Sequence, residues 1–187
     1  MPAQARKRRN PLPFRLPAGH AAGDDAQVPM MILRAEPLTS AAFLPYGEVI
    51  ECPSIPGRTY FEDALANLRP HARPSLSLTV TDKAAAMPLR STTMERHEFS
   101  SQSFVPQQAG RWLAIIAPHA RDGGPDMARA RAFLAGPRQG VTYGANVWHH
   151  PFTVIDAPAC FVVTMWRDGT KGDEEFVTVP EFTVELP

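Results

Sequence analysis

The sequence predicts a mainly β domain, an antiparallel sandwich or barrel with a few short helices, on three observations. Ser75-Leu-Ser-Leu-Thr-Val-Thr81 alternates polar and apolar residues without a break, the period-2 pattern of a half-buried strand. Short apolar and β-branched runs recur with turn signals between them, notably Gln108-Ala-Gly110, Asp122-Gly-Gly-Pro125, Gly136-Pro137 and Arg167-Asp-Gly169, and closely spaced short strands build sandwiches and barrels. Beyond residue 50 only Asp126–Leu134 reads as helical, with Asp126 as its cap. No internal repeat or coiled-coil heptad is present.

Composition narrows the function classes. A chain of 187 residues is the length of one domain with a substantial core. Its 19 basic and 19 acidic residues argue against a general nucleic-acid or membrane-surface role. Residues 1–29 hold Arg6, Lys7, Arg8, Arg9 and Arg15 against Asp24 and Asp25, which leaves the rest mildly acidic, with 14 basic and 17 acidic residues. Cys52 and Cys160 are too few for a disulfide framework and lack zinc-site neighbours, so a reducing cytoplasm is expected. No apolar run approaches the roughly 18 residues of a membrane span, and the start lacks the apolar core of a signal peptide.

In chain order, residues 1–29 are rich in Pro, Ala and Arg and have too little apolar surface to offset the entropy of ordering. They read as a disordered or misassigned extension, with patterned sequence starting at Met30 or Met31, ahead of a single domain over 30–187. Ile32–Ala35 reads as a first strand. Thr39 is the expected N-cap of a short helix over Ser40–Tyr46 ended by Gly47, and Glu48–Glu51 returns to extended chain. Pro53–Pro74, with Pro, Gly and mixed charge, reads as a loop able to fold over something. The Ser75–Thr81 strand should bury Leu76, Leu78 and Val80. Further strands are expected at Thr92–Phe99, Ser103–Pro106, Trp112–Ala117, Val141–Tyr143, Cys160–Trp166, Phe176–Val179 and Phe182–Glu185.

The candidate chemistry gathers at two stretches. In Glu95-Arg-His97, strand alternation puts Glu95 and His97 on one face and Arg96 on the other. In Asn146-Val-Trp-His-His-Pro151 it puts Val147 and His149 on one face, Trp148 and His150 on the other, so one histidine of the pair enters the interior. Imidazole both moves protons near neutral pH and binds borderline metals. The spacing resembles that of metal-binding cupin barrels, which use His-x-His with a following Glu, and later Gly-x-x-His. Glu95-x-His97 followed by Gln102 falls on the first frame, and Asn146-Val-Trp-His149 on the second. Asn is the residue best able to replace Gly where φ is positive.

Tyr143 is either an inward phenol beside the site or a core aromatic. Arg90 and Arg111 flank the relevant strands as surface arginines or as holders of a substrate carboxylate. His71 reads as solvated unless its loop is a lid, and His20 and His119 carry no role. No serine-nucleophile motif, phosphate loop, dinucleotide fingerprint or paired-cysteine motif occurs.

Gln139-Gly-Val-Thr-Tyr143 with Asn146-Val-Trp-His-His-Pro151 resembles the signature of the ureidoglycolate lyases. Leu38–Ile50, Met94-Glu-Arg-His97 through Ser101–Pro106, and Pro125-Asp-Met through Arg131-Ala-Phe133 extend the likeness over most of Met31–Pro180. The resemblance implies a cupin-like barrel or jelly roll, a cytoplasmic homodimer, and cleavage of ureidoglycolate into glyoxylate and urea in allantoin breakdown. It also implies a divalent metal, nickel or alternatively zinc. The chain departs from the family at 57–74, where an Asn-Gly-rich segment followed by Arg, His and Asp is usual. That departure leaves a related ureido or α-hydroxy acid as a second substrate class, and a non-catalytic cupin binding a metal or small acid as the other alternative.

Ureidoglycolate is a carbinolamine acid, so breaking its C–N bond needs a base for the hydroxyl, a proton for the departing nitrogen and a cation for the carboxylate. On donor chemistry His97, His149 and Gln102 can be ligands of such a metal, with Glu95 as general base and Tyr143 or His150 as proton donor. Without a metal, His97 and Glu95 divide the acid and base work, with His149 beside them.

Overall fold

The computed structural model describes residues 31–187, so the expectations for the N-terminal extension lie outside the described residues. The chain opens with β1 (Met31–Arg34) and β2 (Glu36–Pro37). The helix α1 (Ser40–Phe43) is capped as expected, the Thr39 hydroxyl accepting from the Ala42 amide at 3.3 Å. It ends a turn earlier than its sequence implies, because Gly47 already opens β3 (Gly47–Glu51). A Cβ on Gly47 would run into the Thr142 carbonyl oxygen, so only glycine lets β3 approach there.

After the 52–72 loop come β4 (Arg73–Thr81), β5 (Leu89–His97), β6 (Gln102–Gln108) and β7 (Trp112–Ala117). Then follow β8 (Arg131–Ala135), β9 (Gln139–Tyr143), β10 (Trp148–His149), β11 (Thr153–Val154), β12 (Ala159–Arg167) and β13 (Glu174–Glu185). The two strands expected at 176–179 and 182–185 are one strand, β13, whose register against β5 shifts between Thr178 and Phe182.

The strands form two sheets. The larger runs β1-β13-β5-β10-β7-β8-β2, with β11 also on β7; the smaller runs β3-β9-β6-β12-β4. This is the cupin-like, mainly β architecture the sequence predicts. Phe43, Phe104, Trp112, Phe133, Val141 and Phe161 fill the space between the sheets. A second cluster with Met94, Leu113, Ile115, Trp148 and Phe182 lies on the other face of the larger sheet. β7 is therefore covered on both faces, which is why Trp-Leu-Ala-Ile-Ile-Ala is apolar throughout rather than alternating.

Two expectations are corrected. The helix expected over Asp126–Leu134 is one 3-10 turn, Met127–Arg129, followed by β8. Asp126 makes no side-chain cap; its carboxylate instead accepts from Arg129 Nε at 2.7 Å. Ala132, Phe133 and Ala135 are buried in a strand between β7 and β2, so sheet packing overrides helix propensity. The second correction concerns β4. The strand exists, but Leu76, Leu78 and Val80 are 75%, 63% and 73% exposed, and Ser75, Thr79 and Thr81 are the more covered face. β4 is an edge strand paired only with β12, and its apolar stripe points outward.

Candidate active site

The site is built where the ends of β5, β6, β9 and β10 meet between the sheets. β10 is held between β5 and β7, with His149 opposite both Glu95 and Ile116, and Trp148 opposite Ala117. His149 therefore enters the inter-sheet space, while Trp148 joins the cluster on the far face. Asn146, entering β10, has φ of 64°, the left-handed conformation expected of it. Its amide donates to the His97 carbonyl at 2.7 Å, and its side-chain oxygen accepts from Arg96 at 2.8 Å. Arg96 points away from the site, lying 4.5 Å over the Trp148 ring. From the other sheet, Gln102 of β6 pairs with Tyr143 of β9 and faces back across.

All five residues of the expected constellation are buried together: Glu95, His97, Gln102, Tyr143 and His149. The Tyr143 ring stacks on His149 at 4.1 Å and 8°, and also meets Phe43 and Phe104, so it is at once inward phenol and core aromatic. Burial, and then the nearby Glu95 carboxylate, push the Tyr143 hydroxyl far above the ordinary phenol range, so it keeps its proton.

His149 carries the informative geometry. Its Nδ1 lies 2.8 Å from the Val147 carbonyl, which only accepts, so Nδ1 bears the hydrogen. In a neutral ring Nε2 is then a lone pair, yet it lies 3.3 Å from Gln102 Oε1 and 3.3 Å from Glu95 Oε1. In that neutral tautomer three acceptors converge on one point, an arrangement that a proton on Nε2 or a shared cation satisfies. The His97 ring is 6.1 Å from that of His149, and neither of its nitrogens has a hydrogen-bond partner. Burial, followed by the proximity of His149, holds His97 below the ordinary histidine range and keeps it neutral.

Asp173, Ser100 and Arg69 are site neighbours that the sequence did not single out. The Asp173 carboxylate accepts from the Phe99 amide at 2.7 Å, from the Ser100 hydroxyl and from Arg69 Nη2 at 3.1 Å, and lies 3.7 Å from His97 Nδ1. Arg69 ties the 52–72 loop to the β12–β13 turn, donating also to Asp168 at 2.6 Å and to the Trp166 carbonyl at 2.9 Å. A cavity of about 240 Å³ opens here, lined by His97, Arg69, Asp173 and the turn residues.

The remaining candidates lie elsewhere. His150 is held by Ser91 Oγ at 2.8 Å, Thr153 Oγ1 at 3.0 Å and the Pro151 carbonyl at 2.8 Å, against Phe182 on the far face. Arg90 pairs with Glu181 at 2.7 Å and Arg111 with Asp156 at 2.8 Å, both at the surface. His71 is exposed. His119 meets the carbonyls of Gly123 at 3.0 Å and Asn146 at 2.6 Å.

Comparison with known proteins bears on the family of the whole chain. A family model described as ureidoglycolate lyase matches residues 30–185. A ureidoglycolate lyase of Azotobacter vinelandii is 38% identical over 79% of this chain and 93% of its own length. One from Pseudomonas paraeruginosa is 36% identical over 81% of this chain and 94% of its own. Ureidoglycolate lyase 1 of Rhizobium meliloti is 34% identical over 83% and 95%.

Proposed function

The chain belongs to the ureidoglycolate lyase family, and from that premise we propose that it cleaves ureidoglycolate to glyoxylate and urea in purine catabolism, using Glu95, His97, Gln102, Tyr143 and His149. The observation that carries the assignment to these residues is the convergence of three acceptors at His149 Nε2 beside an unpartnered, neutral His97. Buried polar groups left short of partners are costly, and a reaction is the reason to keep them.

The reaction moves two protons. Loss of the hydroxyl proton lets the oxygen electrons form the carbonyl of glyoxylate, the C–N bonding pair leaves with nitrogen, and that nitrogen takes a proton to become urea. Glu95 is the general base in this reading, and neutral His97 can also accept the hydroxyl proton. Glu95, having taken the hydroxyl proton, returns it to the departing nitrogen, and Tyr143, which keeps its own proton, donates a hydrogen bond to the departing side. His150, saturated on the far face, takes no part.

A divalent ion, nickel or zinc, suits the donors. Among the described residues no three His, Cys, Asp or Glu side chains are grouped to hold a metal. The set would therefore be His97, His149 and the Gln102 amide oxygen, with the two imidazoles supplying borderline nitrogen donors. When bound, such an ion supplies acidification and orientation of the substrate hydroxyl. Metal analysis of protein purified without chelator tests this.

The lyase assignment is tested by incubating purified protein with ureidoglycolate. Glyoxylate and urea in equal amounts are expected; binding without turnover would support a non-catalytic cupin instead. A panel of ureido and α-hydroxy acids covers the departure at 57–74.

We also read the chain as a cytoplasmic homodimer. Two unpaired cysteines fit a reducing compartment. The outward stripe of Leu76, Leu78 and Val80 fits a second copy laid on β4, each buried side chain contributing about 1.5–3 kcal/mol. Sedimentation should give a dimer for the native chain and a monomer for Leu78→Asp. A monomeric native chain would remove the reading.

A further inference from the structure

The cavity against His97 has a charge pattern that the buried cluster does not explain. Its wall from the β12–β13 turn carries Arg167 and Lys171, while His97 forms its floor at 2% exposure with both ring nitrogens unpartnered. The neighbouring carboxylates are already engaged. Asp173 is saturated by Phe99, Ser100 and Arg69. Asp168 takes Arg69 at 2.6 Å, the Thr170 amide at 2.9 Å and the Thr170 hydroxyl at 2.7 Å. Arg167 and Lys171, by contrast, have no ion-pair or hydrogen-bond partner among the described residues. Glu174, opposite His97 in the β5–β13 register, is the one uncompensated carboxylate on this wall. Two free cations thus face one free anion above an unpartnered imidazole.

The turn that presents them is tied down. Asp168 closes it onto Thr170, Thr170 Oγ1 accepts from the Gly172 amide at 3.2 Å, and Arg69 clamps it from the 52–72 loop. The backbone that presents the two cations is thereby fixed at the cavity wall, while both side chains are exposed and free to reach an anion.

We infer that Arg167 and Lys171 form the subsite for the carboxylate of a small α-hydroxy acid, bound with its hydroxyl-bearing carbon toward His97. That the acid is ureidoglycolate rests on the lyase reading; the anion subsite rests on the cavity. Arginine offers the planar fork that matches a carboxylate, and lysine a second point charge.

The test combines turnover with binding of glyoxylate, a product that keeps the carboxylate. The variant Arg167→Gln with Lys171→Gln should raise KM for ureidoglycolate at least about thirtyfold while kcat changes less than about threefold. By calorimetry it should weaken glyoxylate binding at least about tenfold. Arg167→Lys with Lys171→Arg, which keeps both charges, should recover most of the affinity. Arg138→Gln, removing a charge outside this cavity, should change neither. Normal turnover with unchanged KM in the double glutamine variant overturns the subsite and leaves the lyase reading intact. No turnover by the native protein, but glyoxylate binding lost in the double variant, overturns the lyase reading and leaves the subsite intact. Failure of the native protein to bind glyoxylate overturns the subsite.

Discussion

His149 and His150 are consecutive in sequence and lie on opposite faces of one sheet, in regions that treat buried polar atoms differently. On the far face His150 and Trp148 are both partnered: His150 is held by Ser91, Thr153 and the Pro151 carbonyl, and Trp148 Nε1 donates to the Gly123 carbonyl at 3.0 Å. Between the sheets, His149 Nε2 meets two acceptor oxygens at 3.3 Å, and His97 has no partner for either nitrogen. A saturated buried group contributes to stability, whereas an under-partnered one costs stability in the resting fold. On the proposed lyase reading, that difference divides residues that serve folding from residues that serve the reaction.

The largest expected effect follows from the inter-sheet side. His97→Leu and His149→Ala should each lower turnover of ureidoglycolate at least about a hundredfold, or about 2.7 kcal/mol of transition-state stabilisation. For His97→Leu the comparison makes a second, opposite demand. Removing an imidazole whose nitrogens are unpaired and replacing it with an apolar side chain should leave the melting temperature unchanged or raised. A variant that loses both activity and stability would place His97 with the structural residues.

Much of this placement is legible in the sequence. Strand alternation in Glu95-Arg-His97 and in Val147-Trp-His-His150 places Glu95, His97 and His149 inward and Arg96 and Trp148 away, and the structure agrees. The positive φ of Asn146 follows from residue type alone. Asp173 and Arg69 were not legible, because each earns its place through partners far along the chain: Asp173 through Phe99 and Ser100, Arg69 through Asp168 and Trp166. In sequence they are charges in turn-like and Pro-rich segments, the usual look of solvated residues. β4 shows a different limit. Its alternation fixes that Leu76, Leu78 and Val80 share a face, but period alone does not say which face the rest of the fold covers.

The smaller effect belongs to the far face and reverses the pattern of the first. His150→Ala should keep kcat within about threefold and cost about 1–3 kcal/mol of stability, since it leaves the Ser91 hydroxyl with only the Thr93 amide and empties a packed position against Phe182. The cost should depend on pH. Burial, against weaker opposing effects from the Pro151 carbonyl and Glu95, holds folded His150 below its unfolded value of about 6.5. As pH falls through about 6.5 the unfolded chain therefore binds protons that the folded chain refuses, so stability is present above that value and lost on the way down to the folded pKa. His97 is shifted in the same direction and adds to the loss. Replacing His150 removes its share of the slope, so urea melts should show the deficit of His150→Ala largest at about pH 7.5 and smaller at about pH 5.5. A deficit that stays constant across that range would mean that His150 titrates alike in both states, and that burial does not hold it in the neutral form.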